Sequence, residues 1–168
     1  AYRTRIALNL KEVEYEQISI HLTKGGGEQF EAVYSEINPQ NLVPTLMDGD
    51  VKIFQSMAIM EYLEEKFPAP SLLPSDPSSR ARVRALANMI SCDMHPLNNL
   101  RVRLYLVDEM NVTEENRQAW ISHWIHIGFQ AYEKNLVNCE EIGLYSHGNH
   151  PTMADVCLIP QIANARLN

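Results

Sequence analysis

Residues 41–63 read "NLVPTLMDGDVKIFQSMAIMEYL", and this stretch decides the fold of the first half of the chain. The segment "VPTLM" predicts a short strand, the Asp-Gly pair at 48–49 predicts a hairpin turn, and "VKIFQ" predicts the returning strand. From Ser56 onward the apolar spacing becomes helical, with Ile59, Leu63 and Phe67 four residues apart. The stretch therefore predicts a β-hairpin that leads directly into a helix.

Pro44 stands at the front of the first predicted strand, and two interpretations of it remain open. It can be an edge-strand proline whose missing N–H faces solvent. Alternatively, a cis Val43–Pro44 bond turns the N–H and C=O of Val43 outward, where they can pair with an extended peptide-like ligand as an added strand.

Gln55 and Ser56 stand directly before the predicted helix and also allow two interpretations. Ser56 can be a simple N-cap, with Gln55 ending the strand. Alternatively, the serine hydroxyl and the free amides of the helix start can hold a carboxylate. Together, the ligand-binding interpretations of Pro44 and Ser56 predict a small anionic peptide as ligand.

The elements around the hairpin predict two domains. Composition predicts a helix over 2–10, alternation predicts a strand over 13–22, and a weak helix ends near Ser35. The resulting order α-β-α-β-β-α is nearly thioredoxin-like, with only the opening strand absent. Four prolines between Phe67 and Ser78 mark a boundary. We predict a thioredoxin-like α/β domain over 1–67, a linker over 68–77 and an all-α domain over 78–168.

The second half predicts helices throughout. Ser78 or Ser79 caps a long helix that Pro96 kinks. On that helix Asp93, Leu97 and Arg101 are four residues apart, so they share a face about 12 Å long. Thr113 and Thr152 are predicted N-caps of two later helices, and Asp155 completes a capping-box-like pattern with Thr152.

Composition limits the class of function. The chain has 168 residues, 45% of them hydrophobic, and a formal net charge of −7, which argues against nucleic acid as the main partner. Three distant cysteines predict reduced thiols in a cytoplasmic protein, and no membrane span, signal peptide or metal site is predicted. The chain opens and stops inside predicted helices, so we expect it to be cut at both ends.

Several motifs in the right order resemble the zeta class of glutathione transferases, which includes the maleylacetoacetate and maleylpyruvate isomerases. They are "YRTRIALNLK", "INPQNLVPTLMDGDVKIFQSMAIMEYLEEKFPAPSLLP", "CDMHPLNNLR" and "PTMADVCLIPQIANAR". The resemblance covers essentially the whole chain. It implies a glutathione transferase fold, glutathione as cofactor, a small dicarboxylate substrate and a homodimer.

The resemblance also implies roles for individual residues. Val43 pairs with the cysteinyl part of glutathione, with Pro44 cis, while Gln55 and Ser56 hold the γ-glutamyl end and Gln29 lies near the glycine end. In the helical domain, the residues matching family positions that reach glutathione or line the site are His95, Asn99, Leu100 and Arg101. The family's thiolate-stabilising serine or cysteine is expected just before Ala1, outside the sequence.

The reaction that the resemblance implies is a cis-trans isomerisation of a maleyl diketo acid by thiolate addition, bond rotation and elimination. It needs positive charge near the thiolate and the substrate carboxylates. Arg3 is either a solvated arginine or part of this positive field, and Arg101 is either a surface charge or a bidentate carboxylate ligand. Arg166 is a weaker candidate, because "NARLN" departs from the usual continuation.

Three hypotheses remain open on sequence grounds. The first is an isomerase of maleylacetoacetate, with maleylpyruvate close behind, in aromatic amino-acid or gentisate-type breakdown. The second is a general glutathione transferase that conjugates or reduces electrophiles. The third is a non-catalytic glutathione-binding scaffold. Arginines in the substrate site favour the first over the second, since an apolar electrophile does not need them.

Overall fold

The computed structural model describes residues 2–167, so Asn168 lies outside the described residues, as does Ala1, the position that the resemblance places next to the catalytic segment. The chain divides into two compact units, Ala1–Ser71 and Leu72–Asn168. This division falls within the proline-rich segment 68–77. Within residues 2–167, no helix is both long enough and apolar enough to span a bilayer.

Within residues 2–71, the first unit contains a short hairpin, three helices and two 3₁₀ turns. The helices are α1 (Tyr2–Leu10), α2 (Ala32–Ile37) and α3 (Ser56–Lys66), the strands are β1 (Thr45–Asp48) and β2 (Val51–Phe54), and the turns are Lys24–Gly26 and Glu28–Phe30. The strands are antiparallel, with Thr45 opposite Phe54 and Asp48 opposite Val51. Gly49 has φ +58° in the two-residue turn, which confirms the predicted Asp-Gly hairpin.

The strand predicted over 13–22 is wrong, because this segment has no regular secondary structure. A strand exists only when its backbone pairs with another strand, and within residues 2–167 β1 and β2 pair only with each other. Residues 14–19 are exposed, and Ile18 keeps 77% of its surface accessible. Alternation alone therefore does not produce a strand here.

Helices α1 and α3 pack side by side and run in the same direction. Arg3 Nη1 lies 3.4 Å from Ser56 Oγ at one end, and Lys11 Nζ lies 2.7 Å from Glu64 Oε2 at the other. Both spans cover eight residues, so the two helices keep one register along about 12 Å. Ala7 and Ile59 are fully buried in the apolar contact between them. The two helix N-termini consequently lie on the same side of the unit.

Lys11 has a fully buried side chain, and three acceptors surround its ammonium group. Besides Glu64, which is 7% exposed, it donates to the carbonyls of Phe67 at 2.6 Å and Pro70 at 3.0 Å. A buried ammonium is tolerated only when it is paired and hydrogen-bonded. This set of bonds ties the end of α1 to the end of α3 and to the segment that follows it.

Within residues 72–167, all the regular secondary structure of the second unit is helical, and residues 138–152 form a long loop between its last two helices. Its helices are α4 (Pro77–Asn88), α5 (Leu100–Asp108), α6 (Glu114–Val137) and α7 (Met153–Leu167), with a π-helical turn at Met89–Met94 and a 3₁₀ turn at His95–Asn98 between α4 and α5. Its core includes Val83, Ile90, Ile121 and Val156, each at most 1% exposed.

The predicted single helix through Pro96 is wrong, and so is the shared face of Asp93, Leu97 and Arg101. Regular α-helix ends at Asn88 and resumes only at Leu100. Proline cannot donate the backbone hydrogen bond that a continuous helix needs at 96. Asn99 adopts extended backbone (φ −67°, ψ 151°) and its side chain accepts from the Arg101 N–H, so it begins a new helix.

The helix caps agree only in part with the predictions. Asp76, rather than Ser78 or Ser79, caps α4 by accepting from the Ser79 N–H at 2.9 Å, with Pro77 as the first helical residue. Thr113 caps α6 as predicted. Asp155 accepts from both the N–H and the hydroxyl of Thr152, at 2.8 Å each, which confirms the predicted pairing at the start of α7.

We expect Lys11→Met to lower the free energy of unfolding by about 3–5 kcal/mol, because Glu64 would remain buried without its ammonium partner. Lys11→Met combined with Glu64→Leu is expected to recover most of this loss, since no charge then stays buried. Chemical denaturation followed by circular dichroism measures both values.

The matched control for this prediction is Lys66→Met, which removes the same charge from the same unit. Lys66 pairs with Asp48 at the surface, where both side chains are more than one third exposed. An exposed pair contributes at most about 1 kcal/mol. Equal losses for Lys11→Met and Lys66→Met would contradict a structural role of the buried pair.

Candidate functional site

The backbone of Val43 is the first element of the candidate site. The Val43–Pro44 peptide is cis, which confirms what the resemblance implied. Within residues 2–167, neither the N–H nor the C=O of Val43 has a hydrogen-bond partner. The residue is half-buried and directly precedes β1, so it offers one donor and one acceptor to an extended ligand.

Two buried side chains of the α2 region hold the backbone on both sides of Val43. Tyr34 donates its hydroxyl to the Leu42 carbonyl at 2.6 Å, and Asn38 donates its amide to the same oxygen at 2.7 Å. The Tyr34 hydroxyl also lies 3.1 Å from Thr45 Oγ1. Because these hydrogen bonds fix the residues near Val43, the N–H and C=O of Val43 are held in place although they make no hydrogen bond themselves.

Gln55 and Ser56 form the second element of the site, at the start of α3. Gln55 occupies the N-cap position with φ +73°, a region that non-glycine residues seldom adopt and that often marks ligand sites. Its side chain does not cap the helix but donates to Gln40 Oε1 at 2.7 Å. Ser56 is the first helical residue, so its interpretation as the N-cap is wrong.

The register of the hairpin brings the two elements to the same end of the sheet. Thr45 at the start of β1 lies opposite Phe54 at the end of β2, so Val43, which precedes β1, and Ser56, which follows β2, lie at the same end of the hairpin. The other end of the hairpin is tied to α3, because Asp48 accepts from Lys66 and from Tyr62. The hydrogen bond from Lys66, and to a smaller extent the one from Tyr62, lowers the pKa of the Asp48 carboxyl.

Arg3 adds positive charge beside the second element. Its guanidinium lies 3.4 Å from the Ser56 hydroxyl, so the structure brings together two residues that the sequence separates by 53 positions. The N-terminal ends of α1 and α3 lie on this same side, and each carries a partial positive charge from its aligned peptide dipoles. An anion at Ser56 therefore meets favourable potential from both helices and from Arg3.

Gln29 lies inside its own loop, 94% buried, in the turn Glu28–Phe30. Its Nε2 donates to the Leu22 carbonyl at 3.2 Å, while its buried Oε1 has no partner within residues 2–167. The amide fits against Gly27, where an added Cβ would stand 2.5 Å from Nε2. Gln29 therefore stabilises its own loop. Its predicted role near the glycine end of glutathione stays a prediction.

The predicted site residues of the second unit gather where α5 begins. His95 opens the 3₁₀ turn, Asn99 caps α5 and Leu100 is its first residue. Arg101 is exposed, and none of the carboxylates within residues 2–167 forms an ion pair with it. Its guanidinium is thus available to an external carboxylate.

Arg166 lies in the last turn of α7 and is exposed. Two residues earlier, Asn164 donates to Asn98 Oδ1 at 3.0 Å, which places this part of α7 next to the turn that carries His95. Asn98 is 3% exposed and also donates to the Met94 carbonyl at 3.1 Å. Arg166 and the start of α5 therefore belong to one region of the second unit.

Sequence reasoning missed the residues that support the site. Tyr34, Asn38 and Asn98 are buried polar residues whose hydrogen bonds shape the backbone around Val43 and before α5. Only Asn38 carried a local signal, because asparagine before proline favours a turn. A metal site has no support, since within residues 2–167 no three histidine, cysteine, aspartate or glutamate side chains cluster.

The chain is similar to glutathione transferases over nearly its whole length. The model of the glutathione S-transferase N-terminal domain matches residues 1–65. A relative in Vibrio cholerae, named probable maleylacetoacetate isomerase, is 46% identical over 165 residues, which are 98% of this chain and 76% of that protein. The chain thus spans about three quarters of the length of this relative.

Solved structures agree with the sequence matches. A holo structure of maleyl pyruvate isomerase, a bacterial zeta-class glutathione S-transferase, has a TM-score of 0.95 at 46% identity and covers 99% of this chain and 77% of its own. Maleylacetoacetate isomerase from Methylobacterium extorquens AM1, with bound malonate and glutathione, has a TM-score of 0.94 at 37% identity and the same coverage.

These matches confirm the predicted fold class, an α/β thioredoxin-like N-terminal domain followed by an all-α domain. Val43 and Ser56 of the candidate site lie within the matched residues 1–65. Identity above 40% over three quarters of a relative is far beyond a likeness of fold alone. The chain therefore belongs to the zeta-class glutathione transferase family.

Proposed function

We propose that this protein catalyses the glutathione-dependent cis-trans isomerisation of a maleyl diketo acid, with maleylacetoacetate as substrate and fumarylacetoacetate as product. The observation that carries the proposal is the unpaired backbone of Val43, which lies at the same end of the hairpin as the start of α3 at Ser56. The proposal further includes a cytoplasmic homodimer that acts in aromatic amino-acid breakdown, including tyrosine degradation.

The residues present fit glutathione. The tripeptide has an extended backbone that needs a donor and an acceptor, and Val43 offers one of each. Its γ-glutamyl end carries a carboxylate, and Ser56 offers a hydroxyl at a helix N-terminus beside Arg3. Gln55 directly precedes Ser56 and is exposed to solvent at the same end of the hairpin. When bound, glutathione supplies the thiolate that adds to the substrate double bond and leaves after rotation.

The chain's own part in the reaction is to bind, orient and supply positive charge. Arg3 and the N-terminus of α1 favour a thiolate over a thiol on their side of the unit, because both stabilise negative charge. Arg101 binds a substrate carboxylate bidentately, and Arg166 contributes a second positive charge in the same unit. His95, Asn99 and Leu100 line the region where Arg101 lies.

A second candidate substrate is maleylpyruvate. The maleyl pyruvate isomerase structure is as similar in sequence to this chain as the Vibrio cholerae relative, at 46% identity each. Both substrates present a carboxylate and a cis double bond next to a carbonyl, so Arg101 can serve either. The two differ in the length of the keto-acid arm, which the residues named above do not discriminate.

The direct test of the proposed function is incubation with maleylacetone, with and without glutathione. We expect the trans product to form only when both protein and glutathione are present, at a rate proportional to the amount of protein. Maleylpyruvate run in parallel decides between the two substrates. Conjugation of chlorodinitrobenzene without any isomerisation would instead indicate a general transferase, and glutathione binding with neither activity would indicate a scaffold protein.

Ser56→Ala is expected to weaken glutathione binding by about 1–2 kcal/mol, or roughly 5- to 30-fold in Kd, because a charge-assisted hydrogen bond to the γ-glutamyl carboxylate is lost. Titration calorimetry measures the effect. Ser19→Ala is the matched control, since Ser19 is exposed and its hydroxyl accepts only a 3.4 Å bond from Gln17. If Ser56→Ala binds glutathione as tightly as Ser19→Ala does, the site at α3 is wrong.

Arg101→Ala is expected to raise KM for the maleyl substrate by roughly 10-fold or more, since a charge-assisted pair is lost. KM for chlorodinitrobenzene should barely change, because that substrate has no carboxylate. Arg117→Ala, which removes a surface pair with Glu114, is the matched control for loss of a cation. Steady-state kinetics measures KM for both substrates. Equal changes in KM for the maleyl substrate and for chlorodinitrobenzene would contradict a role of Arg101 in binding the carboxylate.

A further inference from the structure

The loop at residues 21–30, called the 21–30 loop below, contains a run of three glycines with positive φ. Gly25, Gly26 and Gly27 have φ of +62°, +87° and +108°. Glycine adopts such angles at little steric cost, but it also loses the most conformational freedom when it is ordered. The 21–30 loop therefore depends on hydrogen bonds from its flanking residues for a single conformation.

His21 supplies most of these hydrogen bonds. Its Nδ1 accepts from the Lys24 N–H at 3.0 Å and from the Thr23 N–H at 3.4 Å. Its own N–H donates to Glu28 Oε2 at 2.6 Å, and its carbonyl accepts from the Glu28 N–H at 2.9 Å. His21 thus closes the loop at its base and also holds the turn at Lys24.

The bonds at Nδ1 require a neutral imidazole. In the neutral ring one nitrogen carries a lone pair and accepts, whereas in the imidazolium both nitrogens are donors. Protonation would turn Nδ1 into a donor that faces two backbone donors. The hydrogen bonds to Thr23 and Lys24 would be lost together, and the glycine run would lose its support.

The conformation of the loop is coupled to Gln29. The Gln29 amide donates to the Leu22 carbonyl next to His21 and packs against the bare Cα of Gly27. A shift of the glycine run would move the wall against which this amide is buried. The base of the loop and Gln29 therefore form one interlocked unit.

We propose that neutral His21 is a positioning residue for glutathione binding, and that its protonation releases the 21–30 loop and lowers the affinity. The proposal rests on the proposed function, through the predicted place of Gln29 near the glycine end of glutathione. His21 does not contact the ligand in this account and acts only through the loop. Its side chain is exposed to solvent.

The charged residues that share hydrogen bonds with His21 are Glu28 and Lys24. The Glu28 carboxylate accepts from the His21 N–H, and the backbone N–H of Lys24 donates to Nδ1 of the neutral ring. Loss of the Nδ1 acceptor on protonation acts directly on the two backbone hydrogen bonds.

The test compares the pH dependence of binding in the parent protein and in His21→Asn. Asparagine Oδ1 can accept from the same backbone N–H groups, and it does not titrate. Titration calorimetry with S-methylglutathione, whose sulfur cannot ionise, gives Kd at about pH 7.5 and about pH 5.5, on both sides of the usual histidine range. His150→Asn is the matched control, because His150 is an exposed loop histidine of the second unit.

We expect the parent and His150→Asn to lose affinity between these two pH values by roughly 5- to 10-fold more than His21→Asn, the worth of one to two hydrogen bonds. Titration of His95 or of the ligand carboxylates affects all three proteins equally and cancels in this comparison. His21→Ala is expected to bind weakly at both pH values.

Two results would overturn the inference while leaving the proposed function intact. The first is the same pH profile in the parent and in His21→Asn. The second is tighter binding by the parent at the lower pH, which would show the imidazolium attracting the ligand directly. Absence of binding by every variant at about pH 7.5 would instead overturn the proposed function itself. Backbone amide shifts of Thr23 and Lys24 that follow the His21 ring in NMR titration would support the loop contact.

Discussion

The buried ammonium of Lys11 is the interaction on which the first unit depends. It joins Glu64 near the end of α3 to the carbonyls of Phe67 and Pro70, and it does so from the residue that directly follows α1. Because a buried charge must keep its partners, α1 cannot slide along α3 without breaking these bonds. The parallel register of the two helices follows from this constraint together with their apolar contact.

That register determines which residues are neighbours at the N-terminal ends of the two helices, about 12 Å away. There it brings Arg3 next to Ser56 and sets two positive helix ends side by side. The hairpin adds the other element of the candidate site, since Thr45 opposite Phe54 leaves Val43 at the same end of the hairpin as Ser56. A peptide-like anion is therefore matched by backbone groups at one point and by positive potential at the next.

The zeta-class family provides a chemical reason for this arrangement. A cofactor that must return unchanged after each turnover has to be held firmly while its sulfur stays reactive. The unpaired groups of Val43 and the helix start at Ser56 can hold the tripeptide without using its sulfur. The exposed cations Arg101 and Arg166 lie in the second unit, and in the proposed function they bind the substrate carboxylates, so the two tasks would fall to different parts of the chain.

Local patterns predicted the parts of the fold that are determined locally. The helix over 2–10, the Asp-Gly hairpin and the cap at Thr113 each rest on a few adjacent residues, and each is present. The strand over 13–22 failed because pairing depends on residues far away in sequence. The helix through Pro96 failed because Asn99 favours a new start over a kinked continuation.

In the candidate site, too, local sequence patterns indicated some residues, whereas contacts between distant residues were not predictable. Val43 and Ser56 were selected as candidates because a proline at the front of a strand and a serine at the start of a helix are local signals. The contact of Arg3 with Ser56 and the bond of Lys11 with Glu64 each span 53 residues, so no window of sequence shows them. Tyr34 and Asn38 were missed for a related reason, since only the folded chain shows that they fix the carbonyl of Leu42.

The most direct measurement is a crystal structure of the protein grown with glutathione. We expect the cysteinyl N–H and C=O of the tripeptide to pair with the backbone of Val43, and its γ-glutamyl carboxylate to bind the hydroxyl and amides at the start of α3. Glutathione bound elsewhere, or bound with the Val43 backbone turned into the protein, would contradict it.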